Sequence, residues 1–343
     1  MPRRPAPLPP SLPHAVFTIA EAIAARVSID RLRSRDLRRL GYGIYARNDV
    51  HLTEVDLLTA LTRTVPGAVA RGLSAARYWK FPLPLRSQEW HADPRVTPVH
   101  LTANGVAHRD TSILLWNRQC VLDTDIDTIG DLRVTGRVRT WLDLAQTLPL
   151  DELVQIGDHL VRIPRPWAEQ GRSRPYATPG QLSAAIRAYR SPGRPRLREA
   201  LDLVRVGSDS PAETSLRLAA LRAGLPPPVL NERVSENVVH LGEPDLAWPE
   251  WKLCVEHEGP NHLTREQQER DIRRRERREA QGWVELQTVS VDLHHQGRRG
   301  VQRITEALRR RGWRPETRTA AQAGHPQPES RTRAIADAIG PGM

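Results

Sequence analysis

Acidic residues in the last third of the chain have the types and spacing that could bind a metal ion. Asp245 opens one apolar run, and Glu256 and Glu258 occupy alternate positions at the end of the next. Because side chains alternate between the faces of a strand, Glu256 and Glu258 share a face, and a short turn would place Asp245 beside them. Three adjacent carboxylates repel at neutral pH, and a hard divalent cation relieves that repulsion with oxygen ligands. Mg²⁺ or Mn²⁺ there would activate water for attack on a phosphodiester.

The elements that must position these carboxylates follow one another from Ser210 onward. Ser210-Pro211-Ala212-Glu213 predicts the start of a helix that ends near Ala223. The patterns that follow predict strands at about 229–240, 243–248 and 251–257, a charged helix at 264–280, a strand at 283–289 and a helix at 299–311. The predicted order of this module is therefore α-β-β-β-α-β-α.

This segment resembles the very-short-patch-repair-like branch of the PD-(D/E)XK, or restriction-endonuclease-like, superfamily. The resemblance covers about residues 208–312 and lies in a series of motifs, in order: Ser210-Pro211-Ala212-Glu213, Asp245-Leu246-Ala247-Trp248-Pro249-Glu250, Val255-Glu256-His257-Glu258-Gly259, His262, Arg270-Asp271 and Gly282-Trp283. The resemblance implies that Asp245 and Glu256 bind the metal and that Glu213 orients water or helps to ligate. It also implies that Glu258 and His262 complete the site.

Three residues of this segment leave alternatives open. The lysine of the superfamily corresponds to Glu258 here, where the closer branch usually has aspartate, and Lys252, six residues earlier on the same face of the hairpin, is not assumed to replace it. Glu213 fits a helix capping box equally well, because Thr178-Pro179-Gly180-Gln181 carries the same signature where no site is expected. Likewise, His262 could pack on a turn.

The N-terminal region predicts a small DNA-binding module at residues 15–50. Thr18 and Glu21 form a capping box, Ser28 caps a second short helix, and the glycines and alternating apolar residues at 38–46 predict a hairpin. This is the order of a winged helix-turn-helix, whose second helix enters the major groove while the hairpin contacts phosphates. The arginines expected at the DNA are Arg33, Arg35, Arg38 and Arg39. Phosphate contacts alone explain such a cluster without base-specific recognition.

Residues 51–207 predict a mixed α+β domain. Helices are expected at 54–64, 73–79, 139–147, 151–161, 178–189 and 196–206, strands at 99–102, 113–116 and 132–134, and a loop at 163–180. The motifs Gly43-Ile44-Tyr45-Ala46, Leu73-Ser74-Ala75-Ala76-Arg77-Tyr78-Trp79 and Val134-Thr135 through Leu144-Ala145 resemble the antitoxin of type IV abortive-infection toxin–antitoxin systems. The resemblance adds a cognate toxin to the expected partners.

Charge and composition set the class of partner. The net charge is +11 at pH 7, and all but two of the 51 basic residues are arginine, a bias that a GC-rich genome also produces. The surplus lies in residues 1–205, whereas residues 206–313 are balanced, so the front of the chain is the part that favours a polyanion such as DNA. Arg270, Arg274 and Arg277 share one face of the charged helix and either contact phosphate or form intrahelical pairs.

Other classes of protein are excluded by simple features. No run of eighteen apolar residues occurs, the N-terminus lacks the apolar core of a secretory signal, and Cys120 and Cys254 form neither a disulfide framework nor a zinc spacing. A cytoplasmic protein without a membrane partner is therefore expected. Residues 1–14 and 313–343 are Pro-containing and polar, and their composition predicts disorder.

The expected architecture is a multidomain α+β and α/β protein: a winged helix-turn-helix, a mixed α+β middle domain and, at 208–312, an αβββαβα domain like that of restriction endonucleases. The expected function is Mg²⁺-dependent endonucleolytic hydrolysis of DNA. The alternative is a non-catalytic DNA-binding regulator, antitoxin-like, with an inactive nuclease fold. A third class, an RNA-directed toxin, agrees less well with a winged helix.

Overall fold

The computed structural model describes residues 5–12, 15–41, 43–91, 97–104, 110–165, 169, 171–259 and 265–315. Within them the chain is a mixed α+β protein with four separate sheets that combine parallel and antiparallel pairs. No helix in these ranges has the length and apolar character needed to span a membrane. His262 and residues 316–343, most of the predicted tail, lie outside the described residues.

The helices are α1 (Ile19–Ala24), α2 (Ile29–Leu32), α3 (Glu54–Thr64), α4 (Gly72–Tyr78), α5 (Leu85–Gln88), α6 (Arg137–Leu144), α7 (Leu150–Val161), α8 (Pro179–Ala188), α9 (Arg194–Leu203), α10 (Pro211–Arg222), α11 (Arg265–Ala280) and α12 (His294–Arg310). The strands are β1 (Val16–Thr18), β2 (Leu37–Gly41), β3 (Ile44–Arg47), β4 (Ala68–Ala70), β5 (Val99–Ala103), β6 (Leu114–Asn117), β7 (Ile126–Ile129), β8 (Leu132–Thr135), β9 (Val229–Leu230), β10 (Val234–Glu236), β11 (Val239–Gly242), β12 (Leu246–Trp248), β13 (Leu253–His257) and β14 (Val284–Thr288).

The N-terminal module has a three-stranded antiparallel sheet of order β1-β3-β2, with α1 and α2 between β1 and β2. Both expected caps are present: Thr18 and Glu21 close a reciprocal capping box, and the side chain of Ser28 accepts a hydrogen bond from the third residue of α2. Helix α2 is only one turn long. Leu12 is buried in the core of this module, although composition predicts disorder for residues 1–14.

The middle region has a five-stranded sheet of order β6-β5-β4-β8-β7 and a group of helices, α6 to α9. Strands β1 and β3 of the N-terminal module pack into the same core as α3 and β5, so the first two modules share apolar contacts. The buried residues of α6, α7, α8 and α9 form a second core around Trp141, which is fully buried.

The C-terminal module has a four-stranded sheet of order β14-β13-β12-β9, in which β13 and β14 are parallel and the other pairs antiparallel. Helix α11 makes the crossover that a parallel pair requires. Helices α10 and α12 cover one face of the sheet through apolar contacts. Strands β10 and β11 form a separate hairpin that packs against Ala247 and Cys254 on the other face.

Helix α10 belongs to two cores at once. Leu218 packs with the α6–α9 helices of the middle region, whereas Leu216 and Ala220 pack on the C-terminal sheet. Between these cores Asp158 of α7 is 1 % exposed and its Oδ2 lies 2.7 Å from Nη2 of Arg217, which is 2 % exposed. The hydroxyl of Thr214 donates to the same carboxylate at 2.8 Å, so a hydrogen-bonded ion pair joins the two modules.

The observed elements depart from the sequence expectations at several places. The strand expected at 229–240 is split into β9, β10 and β11, because Asn231 and the pair Asn237-Val238 have left-handed backbone conformations that end strands. Strands β1, β4 and β7 and the one-turn helix α5 were not expected. Helix α12 is bounded by His294 and Arg310, but residues 295–297 have left-handed backbone conformations, so its regular part begins close to the expected residue 299.

We predict that Asp158→Asn lowers the free energy of unfolding by about 3–5 kcal/mol, because Arg217 would remain charged and buried without its partner. Urea titration followed by circular dichroism measures the change. Asp151→Asn is the matched control: Asp151 pairs with Arg222 across the same α7–α10 interface but at its exposed rim, so a loss under about 1 kcal/mol is expected. Equal losses for the two variants would contradict the assignment.

Candidate active site

A row of polar side chains crosses one end of the C-terminal sheet. In the β12–β13 pair Leu246 lies opposite Val255, and continuing this register by one residue places Asp245 opposite Glu256. Directly opposed residues share a face with Cβ atoms about 4.5–5.5 Å apart. The same level is occupied by Gln287 of β14, which pairs with Glu256, and by Asn231, which follows β9.

Asp245 is the centre of this row. Its Oδ2 accepts the backbone N–H of His257 at 2.7 Å, which locks the carboxylate onto the neighbouring strand. Burial is the largest influence on this group, followed by the negative charges of Glu213 and Glu256, and together they raise the pKa of Asp245 to about 8. The structure thus brings together three of the acids expected at the site, and the charges of Glu213 and Glu256 contribute to the raised pKa of Asp245.

Glu213 reaches the site from the first turn of α10 and is 5 % exposed. The Ser210 hydroxyl accepts the Glu213 N–H at 3.2 Å, as a cap requires, but the Glu213 carboxylate does not accept the backbone N–H of Ser210. Its Oε2 instead accepts the backbone N–H of Asp209 at 2.8 Å and the side-chain amide of Asn231 at 2.7 Å. Burial raises the pKa of Glu213.

Helix α8, which begins with the same cap signature, provides a comparison for Glu213. At Thr178 the reciprocal box is complete, because Gln181 returns its side chain to the Thr178 N–H at 2.8 Å. Glu213 therefore serves more than its own helix end: it is oriented toward the sheet by two donors, one of them on the segment after β9.

Glu256 is the acid of the row that has a cationic partner. Nη1 of Arg278 lies 2.7 Å from Oε1 of Glu256 and 2.6 Å from Oε2 of Glu285, and Nε of Arg278 donates to the Leu241 carbonyl at 2.9 Å. Arg274 stands further away, with Nε 3.8 Å from the same Glu256 oxygen. Burial raises the pKa of Glu256, and the charge of Arg278 opposes that shift.

Glu258 and Lys252 have different surroundings from the three acids of the row. Glu258 follows the last residue of β13 and its side chain is exposed, while its backbone N–H continues the pairing to the Thr288 carbonyl at 2.8 Å. Lys252 lies at the opposite end of β13, 3.1 Å from Glu236, so its ammonium does not enter the site. His262 is outside the described residues, and its predicted role stays a prediction.

The arginines of α11 have different surroundings. Arg270 and Arg277 are exposed, and Arg274 pairs with Asp271 at 2.9 Å, one of the intrahelical pairs that the sequence had left open. Arg278, absent from the expected set, is the arginine that reaches the carboxylates. Positions 274 and 278 are four residues apart and share a face, and the packing of α11 buries Arg278 while Arg277 stays exposed.

The N-terminal arginines present cations of different availability. Arg33 pairs with Asp30 at 3.3 Å, and Arg38 is half-buried against the Val50 carbonyl. Arg35 and Arg39 are exposed, and their side chains make no hydrogen bond or ion pair with any residue that the structure describes. These two are the arginines most available for a phosphate.

The carboxylates of the site suit one way of binding a divalent cation. Within the described ranges, no three His, Cys, Asp or Glu side chains are arranged as a complete metal-binding group. Mg²⁺ usually takes only one or two protein carboxylates and completes its shell with water and substrate phosphate. Asp245 and Glu256, opposed across the hairpin and close to Glu213, suit that mode, since burial and then the negative charges of Glu213 and Glu256 raise the pKa of Asp245.

Comparison with known proteins assigns no relative. No protein-family model matches this chain, and no curated protein matches it. The function is therefore argued from the chemistry of the site.

We predict that Asp245→Asn stabilises the protein at pH 8 without divalent ions by about 1–3 kcal/mol. The unfolded chain loses the Asp245 proton near pH 4, whereas the folded protein keeps it until about pH 8, so wild-type stability falls between these values. The variant carries no charge there, and its advantage should vanish near pH 4. Urea titrations from pH 4 to 8 measure the difference. Glu250→Gln, an exposed acid at the far end of the hairpin, should change stability by less than about 0.5 kcal/mol.

Proposed function

We propose that the protein is a metal-dependent endonuclease that hydrolyses phosphodiester bonds of DNA, with the C-terminal module as its catalytic part. The observation that carries the proposal is the cluster of Glu213, Asp245 and Glu256 at one end of a mixed sheet, with the pKa of Asp245 raised to about 8. Perturbed acids that crowd one another are typical of catalytic sites. The order of helix, antiparallel strands, crossover helix and parallel strand supports the assignment to the restriction-endonuclease-like fold.

The residues have separate roles in this proposal. Mg²⁺ or Mn²⁺ would supply charge stabilisation at the scissile phosphate and a water of lowered pKa. Asp245 and Glu256 would hold the ion. Glu213, whose Oε2 is fixed by Asp209 and Asn231, is assigned to orienting the attacking water and taking its proton. Glu258, exposed beyond β13, is the second candidate for that task.

The proposal assigns DNA binding to the N-terminal module as a winged helix-turn-helix. The three-stranded antiparallel sheet and the two short helices support that assignment. Because α2 has one turn, phosphate contacts from Arg35 and Arg39 beside it are a better-founded source of affinity than base reading in the major groove. The net charge of the first 205 residues points the same way.

A second function is favoured by one observation. Glu256 is neutralised by the buried Arg278, which also pairs with Glu285, so part of the cluster is satisfied without any metal. A module arranged in this way could persist without turnover, as part of a DNA-binding regulator of the antitoxin type, with a toxin as its protein partner.

Nicking of supercoiled plasmid in Mg²⁺ or Mn²⁺ distinguishes these functions. We predict metal-dependent nicking by the wild-type protein and a rate at least about 100-fold lower for Asp245→Asn and for Glu256→Gln, equivalent to about 2.7 kcal/mol of transition-state stabilisation. Glu250→Gln should nick at the wild-type rate, because Glu250 is exposed at the far end of the hairpin. Circular dichroism checks that each variant is folded.

The outcomes separate the two candidates. Activity that survives in Asp245→Asn would assign the cleavage to another site or a contaminant. A wild-type protein that binds DNA without nicking it in either metal would replace the enzyme by the regulator.

A separate prediction concerns DNA binding. The double variant Arg35→Gln/Arg39→Gln should lower affinity for duplex DNA and reduce the slope of log affinity against log salt by about 2, one for each lost phosphate contact. Fluorescence anisotropy over a range of salt concentrations measures the slope. The control is Arg47→Gln, because Arg47 already pairs with Asp49 at 2.7 Å and should leave the slope nearly unchanged. An unchanged slope in the double variant would place the DNA on another surface.

A further inference from the structure

Arg165, which follows α7 in the middle module, contacts three segments of the C-terminal module. Its Nε pairs with the carboxylate of Asp209, its Nη1 pairs with Glu243, and its Nη2 donates to the Asn231 carbonyl at 3.4 Å. The side chain is 17 % exposed, so these contacts are partly shielded from water. One guanidinium therefore joins points that are distant in the sequence.

Each contacted segment holds a part of the candidate site. The Asp209 N–H and the Asn231 amide both donate to Oε2 of Glu213. The Asn231 N–H donates to the Pro244 carbonyl at 3.0 Å, directly before Asp245, and Glu243 lies on the same segment. Arg165 thus links the residues that orient Glu213 to the backbone that carries Asp245.

We propose that Arg165 is a positioning residue that sets the distance between the carboxylates of Glu213 and Asp245, so that the site is assembled by two modules. The proposal rests on the proposed nuclease function. The planar guanidinium can donate in three directions at once, whereas a lysine ammonium is a compact charge that cannot span the same three acceptors. Misplacement of about 1 Å costs about 100-fold in a well-aligned reaction, so a residue outside the reacting centre can control the rate.

The α7–α10 interface holds the segment of Arg165 in place. The buried pair of Asp158 and Arg217 anchors α10 to α7 one turn beyond Glu213, and Gln155 donates to the Ser215 hydroxyl at 2.9 Å. Arg165 lies four residues after the end of α7 and pairs with Asp209, the residue before the Ser210 cap of α10. These contacts therefore fix the distance between the two modules close to Arg165.

The test compares full-length Arg165→Gln, Arg165→Lys and Arg222→Gln. Arg222 is a matched control: it also pairs across the modules, with Asp151, but lies about 13 Å along α10 from Glu213. We expect Arg165→Gln to lower kcat for plasmid nicking by about 10–100-fold. KM should stay within about threefold, because Arg165 would act on the geometry of the site and not on the binding of DNA.

The lysine variant separates geometry from charge. Arg165→Lys should be as slow as Arg165→Gln, and Arg222→Gln should stay within about twofold of wild type, as expected for a distant site. Recovery of the wild-type rate by lysine would overturn the proposal in favour of a simple charge effect. So would a rate for Arg165→Gln equal to that of Arg222→Gln.

Hydrogen–deuterium exchange tests positioning without reference to activity. Backbone amides in 208–215 and in 229–246 should exchange faster in Arg165→Gln and Arg165→Lys than in Arg222→Gln. If the wild-type protein does not cleave DNA, the proposed function fails. Faster exchange in both segments would still support the positioning role of Arg165. Unchanged exchange in the Arg165 variants would overturn the positioning role even in an active enzyme.

Discussion

The crowding of buried and partly buried carboxylates is the constraint on which the C-terminal module depends. Glu213, Asp245 and Glu256 converge at one end of the sheet, where burial, followed by the negative charges of Glu213 and Glu256, raises the pKa of Asp245. The buried guanidinium of Arg278 pairs with both Glu256 and Glu285. Such an arrangement costs free energy in the folded state, and it persists only because the surrounding packing determines the backbone.

The strands that carry the carboxylates are well packed along their apolar parts. The middle strand β13 is a fully buried apolar run from Leu253 to Val255 until the point where Glu256 begins the polar row. Trp248 at the far end of β12 is 2 % exposed and donates its indole N–H to the Pro226 carbonyl at 2.7 Å. The strands are thus apolar along most of their length and acidic at one end. The apolar parts keep the sheet stable although its acidic end carries an unfavourable cluster of charges.

Alternation and hairpin geometry were enough to predict that Asp245 and Glu256 would be neighbours. The expected end of this strand at residue 257 is confirmed, but the pattern did not show that Glu258, directly beyond it, is exposed. The sequence also left Glu213 undecided, because a capping residue and a site residue share one signature until the side-chain acceptor is seen. Only the fold shows that its carboxylate faces Asn231.

Arg165 illustrates the limit more sharply. It lies in a Pro- and Arg-rich stretch that the sequence identified only as a loop, and its partners Asp209 and Glu243 stand far along the chain. In a protein with so many arginines, local pattern cannot tell a solvated cation from one that bridges two modules. The same holds for Arg278 against Arg277, where the packing of α11 made the choice.

Helix α10 has apolar contacts on both of its sides, with Leu218 in the middle core and Leu216 in the C-terminal core. Removal of α10 from either module would expose apolar surface of that module to water. The two parts of the chain are therefore poor units for genetic exchange: a recombination event near residue 208 would transplant a sheet without the face of α7 that supports it. Lineages that reshuffled this protein successfully would have inherited the helix together with both neighbours.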